Sequence, residues 1–116
     1  MDTSLSNINI VVKIFISVSL FFSVTAHSGD HKIKVCDIQS HSTSNSTYIS
    51  PCGGWQSKNN CPHNGWITWD MSQFQGQAMY STALAALLAD KYITVRLNGS
   101  SCASYDVTQM IRMSKH

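Results

Sequence analysis

Ser72-Gln73-Phe74-Gln75-Gly76-Gln77-Ala78-Met79-Tyr80-Ser81-Thr82-Ala83-Leu84-Ala85-Ala86-Leu87-Leu88-Ala89-Asp90 is followed, after Lys91, by Tyr92-Ile93-Thr94-Val95-Arg96-Leu97. The two halves of this stretch obey different periods. In the first, Ser72 with Gln75 three residues on has the form of a capping box, and the alanine content gives strong helix propensity despite Gly76. Phe74, Ala78, Leu84, Leu87 and Leu88 supply the apolar stripe expected to face the body of the protein. In the second half apolar and polar residues alternate, which is the period of a half-buried strand. One helix, running to about Asp90 and feeding directly into a strand, is the pivot of the fold.

Working outward, Trp66-Ile67-Thr68-Trp69 reads as a strand before the helix, with its two tryptophans on opposite faces and at least one in the core. Upstream of it lies a long polar loop, Gly53 to Gly65, with Gly-Gly, Asn-Asn and Pro62. Thr47-Tyr48-Ile49-Ser50 is a short strand stopped by Pro51, and His31 to Ile38 alternates as another. Ser40 to Thr47 is Ser/Thr/Asn-rich and makes the turn between these two. After the post-helix strand, Asn98-Gly99 marks a stop and Val107 to Met113 is a fifth strand. Three strands, one helix and two strands is the element order of an OB-fold, a small five-stranded barrel used to bind saccharides or oligonucleotides. The expected class is mostly β with one helix between strands three and four. A generic α+β sandwich is the alternative.

At the N-terminus Lys13 precedes the apolar run Ile14-Phe15-Ile16-Ser17-Val18-Ser19-Leu20-Phe21-Phe22, and Val24-Thr25-Ala26 has the small-residue pattern of a cleavage site. This reads as an export signal over residues 1–26, because the apolar stretch is shorter than the roughly 20 residues of a membrane span. The mature chain, 27–116, is one domain small enough to need staples. All four cysteines (Cys36, Cys52, Cys61, Cys102) lie in it, and an even count in an exported chain reads as two disulfides. A hairpin about Ser44-Asn45 sets Cys36 opposite Cys52, which leaves Cys61 for Cys102. The competing pairing joins Cys52 to Cys61 across a small loop and Cys36 to Cys102. Cys61-Pro62-His63 lacks the paired spacings of a zinc site, so neither metal nor cofactor is expected. The formal charge of +2 is scattered and glutamate is absent; nothing marks a nucleic-acid binder. The location implied is secreted or periplasmic.

The helix motif Met79-Tyr80-x-x-Ala83-Leu84, the strand Val95-Arg96-Leu97, a cysteine in the loop that follows and the closing Ile111-Arg112-Met113 together resemble the pertussis-like toxin B subunits, those of subtilase cytotoxin and typhoid toxin among them. The likeness spans most of residues 31–113. It implies a pentamer of OB-folds whose helices line a channel, which binds sialylated host-cell glycans or glycoproteins and carries a separate enzymatic A subunit. A serine leading into the first strand, here Ser28, and an arginine of the post-helix strand, here Arg96, would form the sugar pocket. The chain departs from those relatives in having Asn98-Gly99 where they carry an aromatic residue.

Read from the residues alone, Tyr92, Thr94 and Arg96 share one face of their strand because side chains alternate with period two. A ring, a hydroxyl and a guanidinium suit a sugar acid, since the guanidinium offers two parallel donors to a carboxylate. An ordinary solvated strand face is the other reading. Trp55, in the long loop, either stacks on a ligand or folds back over the barrel. The alanine-rich remainder of the helix suits packing against neighbouring protomers. Five histidines (His27, His31, His41, His63, His116) invite acid–base chemistry but nothing in their spacing pairs them, and Asp37, Asp70, Asp90 and Asp106 read as turns or caps. No nucleophile or phosphate-loop motif is present, so an enzyme is not expected. Asn45-Ser46-Thr47 and Asn98-Gly99-Ser100 fit the glycosylation acceptor pattern. The expected function is a secreted, oligomeric glycan-binding module; the alternative is a monomeric secreted module that binds or inhibits a protein and has no sugar site.

Overall fold

The computed structural model of the protein describes residues 29–115; the export-signal reading of residues 1–26 and the site residue Ser28 fall outside them. The chain forms β1 (Gly29–Ser40), β2 (Ser46–Pro51), β3 (Ile67–Asp70), the helix α1 (Phe74–Ala89), β4 (Tyr92–Ala103) and β5 (Tyr105–Met113). The strands close into a barrel in the order β1-β2-β3-β5-β4. β1 pairs along its first half with β4, from Gly29↔Leu97 to Lys34↔Tyr92, and along its second half with β2, from Val35↔Pro51 to Ser40↔Thr47. A register shift between Val35 and Asp37 marks the passage from one partner to the other, a bulge that bends the strand round the corner of the barrel. The ring is completed by two parallel pairs between β3 and β5, Ile67↔Asp106 and Thr68↔Val107. This is the five-stranded OB architecture, with the helix between β3 and β4.

The interior is built from the inward positions of the strands: Ile33, Val35, Ile49, Ile67, Ile93, Val95 and Leu97, with Trp69 beside them. Thr47 and Thr68 are buried too, and Thr68 Oγ1 donates to the Thr47 carbonyl at 2.8 Å, so the polar atom is satisfied. Both β4 and β5 run further than the sequence suggests. Asn98-Gly99 does not stop β4; the strand is carried past it by a shift in pairing between Leu97 and Cys102.

The helix differs from its expected form at its start and on its inward face. Gln73, not Ser72, is the N-cap, and no side chain caps it. Ser72 turns instead to Asp70, whose carboxylate accepts from the Ser72 N–H at 2.9 Å and its hydroxyl at 2.7 Å. The stripe is rotated as well. Gly76, Ala83 and Ala86 face the barrel, with Met79, Tyr80 and Leu87 half-buried beside them, whereas Phe74 and Leu88 are each 79% exposed and Ala78 is exposed. The cause is distance. At Gly76 a Cβ would lie 1.9 Å from the Asp70 carbonyl oxygen, and the Gly76 carbonyl accepts the Trp69 indole N–H at 2.8 Å. Only small residues allow so close an approach. At its other end the helix stops at Asp90, in the left-handed conformation with φ 55, and Lys91 N–H returns to the Ala86 carbonyl at 2.9 Å.

Two disulfides join Cys36 to Cys52 and Cys61 to Cys102, with Cα–Cα distances of 4.9 and 5.6 Å. The first clips the β1 bulge to the end of β2. The second ties the long loop to β4.

Candidate functional site

The outer face of β1, β4 and β5 collects the post-helix strand residues singled out in the sequence together with cations from both flanking strands. Register sets three rows on it. Asp30, Arg96 and Met110 form one, Lys32, Thr94 and Arg112 the next, and Lys34 and Tyr92 the last. Arg96 is already engaged: its Nε and Nη2 donate to the two carboxylate oxygens of Asp30 at 2.8 and 3.1 Å. The Arg96 hydrogen bond holds the Asp30 carboxyl below its ordinary pKa, opposed by slight desolvation and helped by the charges of Arg96, Arg112 and His31. The same bond raises Arg96. The guanidinium fork expected to meet a sugar acid therefore meets Asp30 across the strand.

Tyr92 is half-exposed, with the ammonium groups of Lys32 and Lys34 each 5.3 Å from its ring centre, within the range of a cation–π contact. Lys34 also reaches Asp90 at 3.1 Å. Lys32 and Arg112, on either side of Thr94, have no ion-pair partner among the described residues. Asp30, Lys32, Lys34 and Arg112 are the charged members of this face that sequence reasoning missed. The β1 alternation already sets Lys32 and Lys34 on one face, but nothing local says that β1 closes against β4, about 60 residues later.

Trp55 folds back over the barrel. Its indole N–H donates to Asp106 Oδ2 at 2.9 Å, its ring meets His31 edge-on at 5.5 Å, and Lys58 Nζ lies 5.0 Å from its centre. Asp106 is neither turn nor cap: it is 0% exposed and gathers the loop around itself. Besides Trp55 it accepts from the Ser57 hydroxyl at 2.6 Å and the backbone N–H groups of Lys58 and Asn59 at 2.8 and 3.3 Å. These four donors leave neither of its buried oxygens without a partner. Trp55 is therefore held against the barrel by Asp106, and it meets His31, the neighbour in β1 of the Asp30 that Arg96 binds. Among the described residues no group of three or more His, Cys, Asp or Glu side chains is arranged to hold a metal.

No protein-family model, curated protein or solved structure matches this chain.

Proposed function

We propose that this protein is a secreted glycan-binding module that holds an acidic sugar on the outer face of β1, β4 and β5 and works as an oligomer. The observation that carries the reading is the row Lys32–Thr94–Arg112, two cations with no ion-pair partner among the described residues on either side of a hydroxyl. Neighbouring strands are about 4.8 Å apart, so the two cations spring from backbones about 10 Å apart. Their long side chains close that gap around one carboxylate, which Thr94 meets from below. Tyr92 beside them offers the apolar face of the sugar a ring to lie on. Arg96 belongs to the site as the partner that keeps Asp30 from neutralising this row.

Two disulfides fit an oxidising compartment, in keeping with the export signal read from the sequence. For assembly, the support is the outer side of α1. The helix has no charged residue, and its exposed positions Phe74, Ala78, Ser81, Ala85 and Leu88 follow each other at spacings of four and three. That is the seam spacing of packed helices, and it suits a ring of copies carrying a separate enzymatic subunit, as the toxin B-subunit resemblance implies. Several weak sugar sites on one ring add by avidity.

The test is a glycan panel probed with the assembled protein, matched sialylated and desialylated structures side by side. Binding to the acidic member of each pair, lost in Lys32→Ala and Arg112→Ala, is the expected result. Equal binding to both members, or none, would overturn the acidic-sugar site. A strictly monomeric protein by light scattering would favour a second reading, in which Phe74 and Leu88 dock on a protein partner.

A further inference from the structure

At the far end of the barrel, the β1–β2 turn, β2, the long loop and the start of β5 bring four rings into one run. His41 meets Tyr48 edge-on at 5.3 Å, Tyr48 meets Tyr105 edge-on at 5.6 Å, and His63 lies tilted against Tyr105 at 5.3 Å. Beside the run opens a cleft of about 180 Å³, lined by Gln39, His41, Tyr48, Trp66 and Tyr105. Gln39 stands beyond the β1 bulge, where the strand pairs with β2 and no longer with β4, so this is not the basic face described above.

We propose that this cleft is a second binding site, specific for the ring of a neutral sugar. Three properties carry the assignment. The first is size: the volume lies below the roughly 300–1,000 Å³ of sites for drug-sized ligands and admits one ring rather than an extended cofactor. The second is charge. None of the lining residues is Lys, Arg, Asp or Glu. Single-stranded nucleic acid also stacks on aromatic rings, but it needs cations along its backbone, and the cleft supplies none. The third is the chemistry of the rim. The Tyr48 and Tyr105 hydroxyls and the Trp66 indole N–H have no protein partner among the described residues, and no buried side-chain polar atom lacks one; these three groups therefore face solvent. Gln39 Nε2 and His41 Nε2 are 2.6 Å apart, which fixes the amide at the edge of the cleft.

A sugar ring matches that combination, with an apolar face for the aromatic wall and hydroxyls that both donate and accept around its edge. A proline-rich peptide, the other ligand that aromatic clefts take, has few donors and would cover these rim groups without pairing them. The rings are held by one another before any ligand arrives. Rigid aromatic side chains lose little freedom on binding, so the site is pre-organised.

The experiment is saturation-transfer NMR, with tryptophan emission alongside, on the disulfide-bonded protein with neutral mono- and disaccharides as probes. Saturable binding is expected, with Trp66→Phe removing the emission change. Gln39→Ala and Tyr105→Phe, which delete a polar rim group and leave the packing largely intact, are expected to weaken binding about tenfold, the size of one lost hydrogen bond. Lys32→Ala is expected to bind neutral sugars as well as the unaltered protein does. No saturable binding of any neutral sugar would overturn the assignment, as would Gln39→Ala and Tyr105→Phe binding undiminished. Capture of a proline-rich peptide in place of sugars would overturn it in favour of a protein ligand. Loss of acidic-glycan binding in Lys32→Ala with neutral-sugar binding intact separates this site from the basic face, so either can fail alone.

Discussion

Asp106 is a single side chain on which a loop of more than ten residues depends. It faces the Trp55 indole, the Ser57 hydroxyl and two backbone N–H groups, and Asp106→Ala leaves four donors without an acceptor. The expected loss is about 3 kcal/mol, read as a lower urea midpoint together with faster amide exchange at Lys58 and Asn59. A loss below about 1 kcal/mol would mean that the Cys61–Cys102 bond alone orders the loop. The Asp30–Arg96 pair makes a prediction of opposite character, about pH. The Asp30 carboxyl is held below its ordinary value by the Arg96 hydrogen bond, and that of Asp70 is lowered by Ser72. Because the folded pKa lies below the unfolded one, the stabilisation is complete above about pH 4 and fades as pH falls through the folded value. Denaturation midpoints followed from about pH 5 down to pH 2.5 should fall less steeply in Asp30→Asn than in the unaltered protein. Both carboxylates are exposed, so high salt should flatten the difference. An unchanged slope in Asp30→Asn would show that the pair does not persist in solution.

At the scale of elements, the helix carries the clearest lesson about reading a sequence. Its existence and length follow from composition and period, and those survive in the fold. Its inward face does not follow, because hydrophobicity ranks Phe74 and Leu88 above Gly76, Ala83 and Ala86, while the geometry demands small residues next to the barrel. Gly76→Ala tests this directly. The added methyl collides with the Asp70 carbonyl, a backbone atom that cannot swing aside. A loss of about 2 kcal/mol is expected by thermal or urea unfolding, against a gain if the site were an ordinary helix position. The exposed seam makes a further prediction. Ala85→Asp adds a charge to a solvent-facing position and should change monomer stability by less than about 0.5 kcal/mol. If the helices pack together in the assembly, the same change should reduce the mass measured by light scattering to that of one chain. An undiminished mass would move the subunit contact elsewhere.

For the whole molecule, strand order was legible because five alternating segments and one helix leave few arrangements, and the hairpin symmetry of Cys36 and Cys52 gave the pairing that the fold carries. The candidate site was legible only in part. Tyr92, Thr94 and Arg96 share a face by local alternation, but Asp30, Lys32 and Arg112 reach them through pairings set by barrel closure. Tyr48 and Tyr105 likewise meet only because the strands wrap round. Chemistry assembled by distant pairings leaves no mark on local sequence. The bonds that staple the barrel should also differ in worth. Replacing Cys61 and Cys102 by alanine is expected to cost about 4 kcal/mol and replacing Cys36 and Cys52 about 3, since the longer loop restrains the unfolded chain more. Paired urea titrations of the two double variants check the order.

The two-pair seam between β3 and β5 also sets a timetable. Neither the loop nor its sulfur at Cys61 can settle until β5, the last of the described strands, delivers Asp106 to Ile67. Cys36 and Cys52, by contrast, meet across a hairpin that is complete as soon as Cys52 has been made. Local hairpins form in microseconds, long before distant strands meet. While the chain is being made, Cys36 and Cys52 are therefore within reach of each other when Cys61 still lacks its partner Cys102. In that interval the half-built molecule is the one exposed to wrong partners, and a catalyst that shuffles mismatched bonds is expected to shorten it.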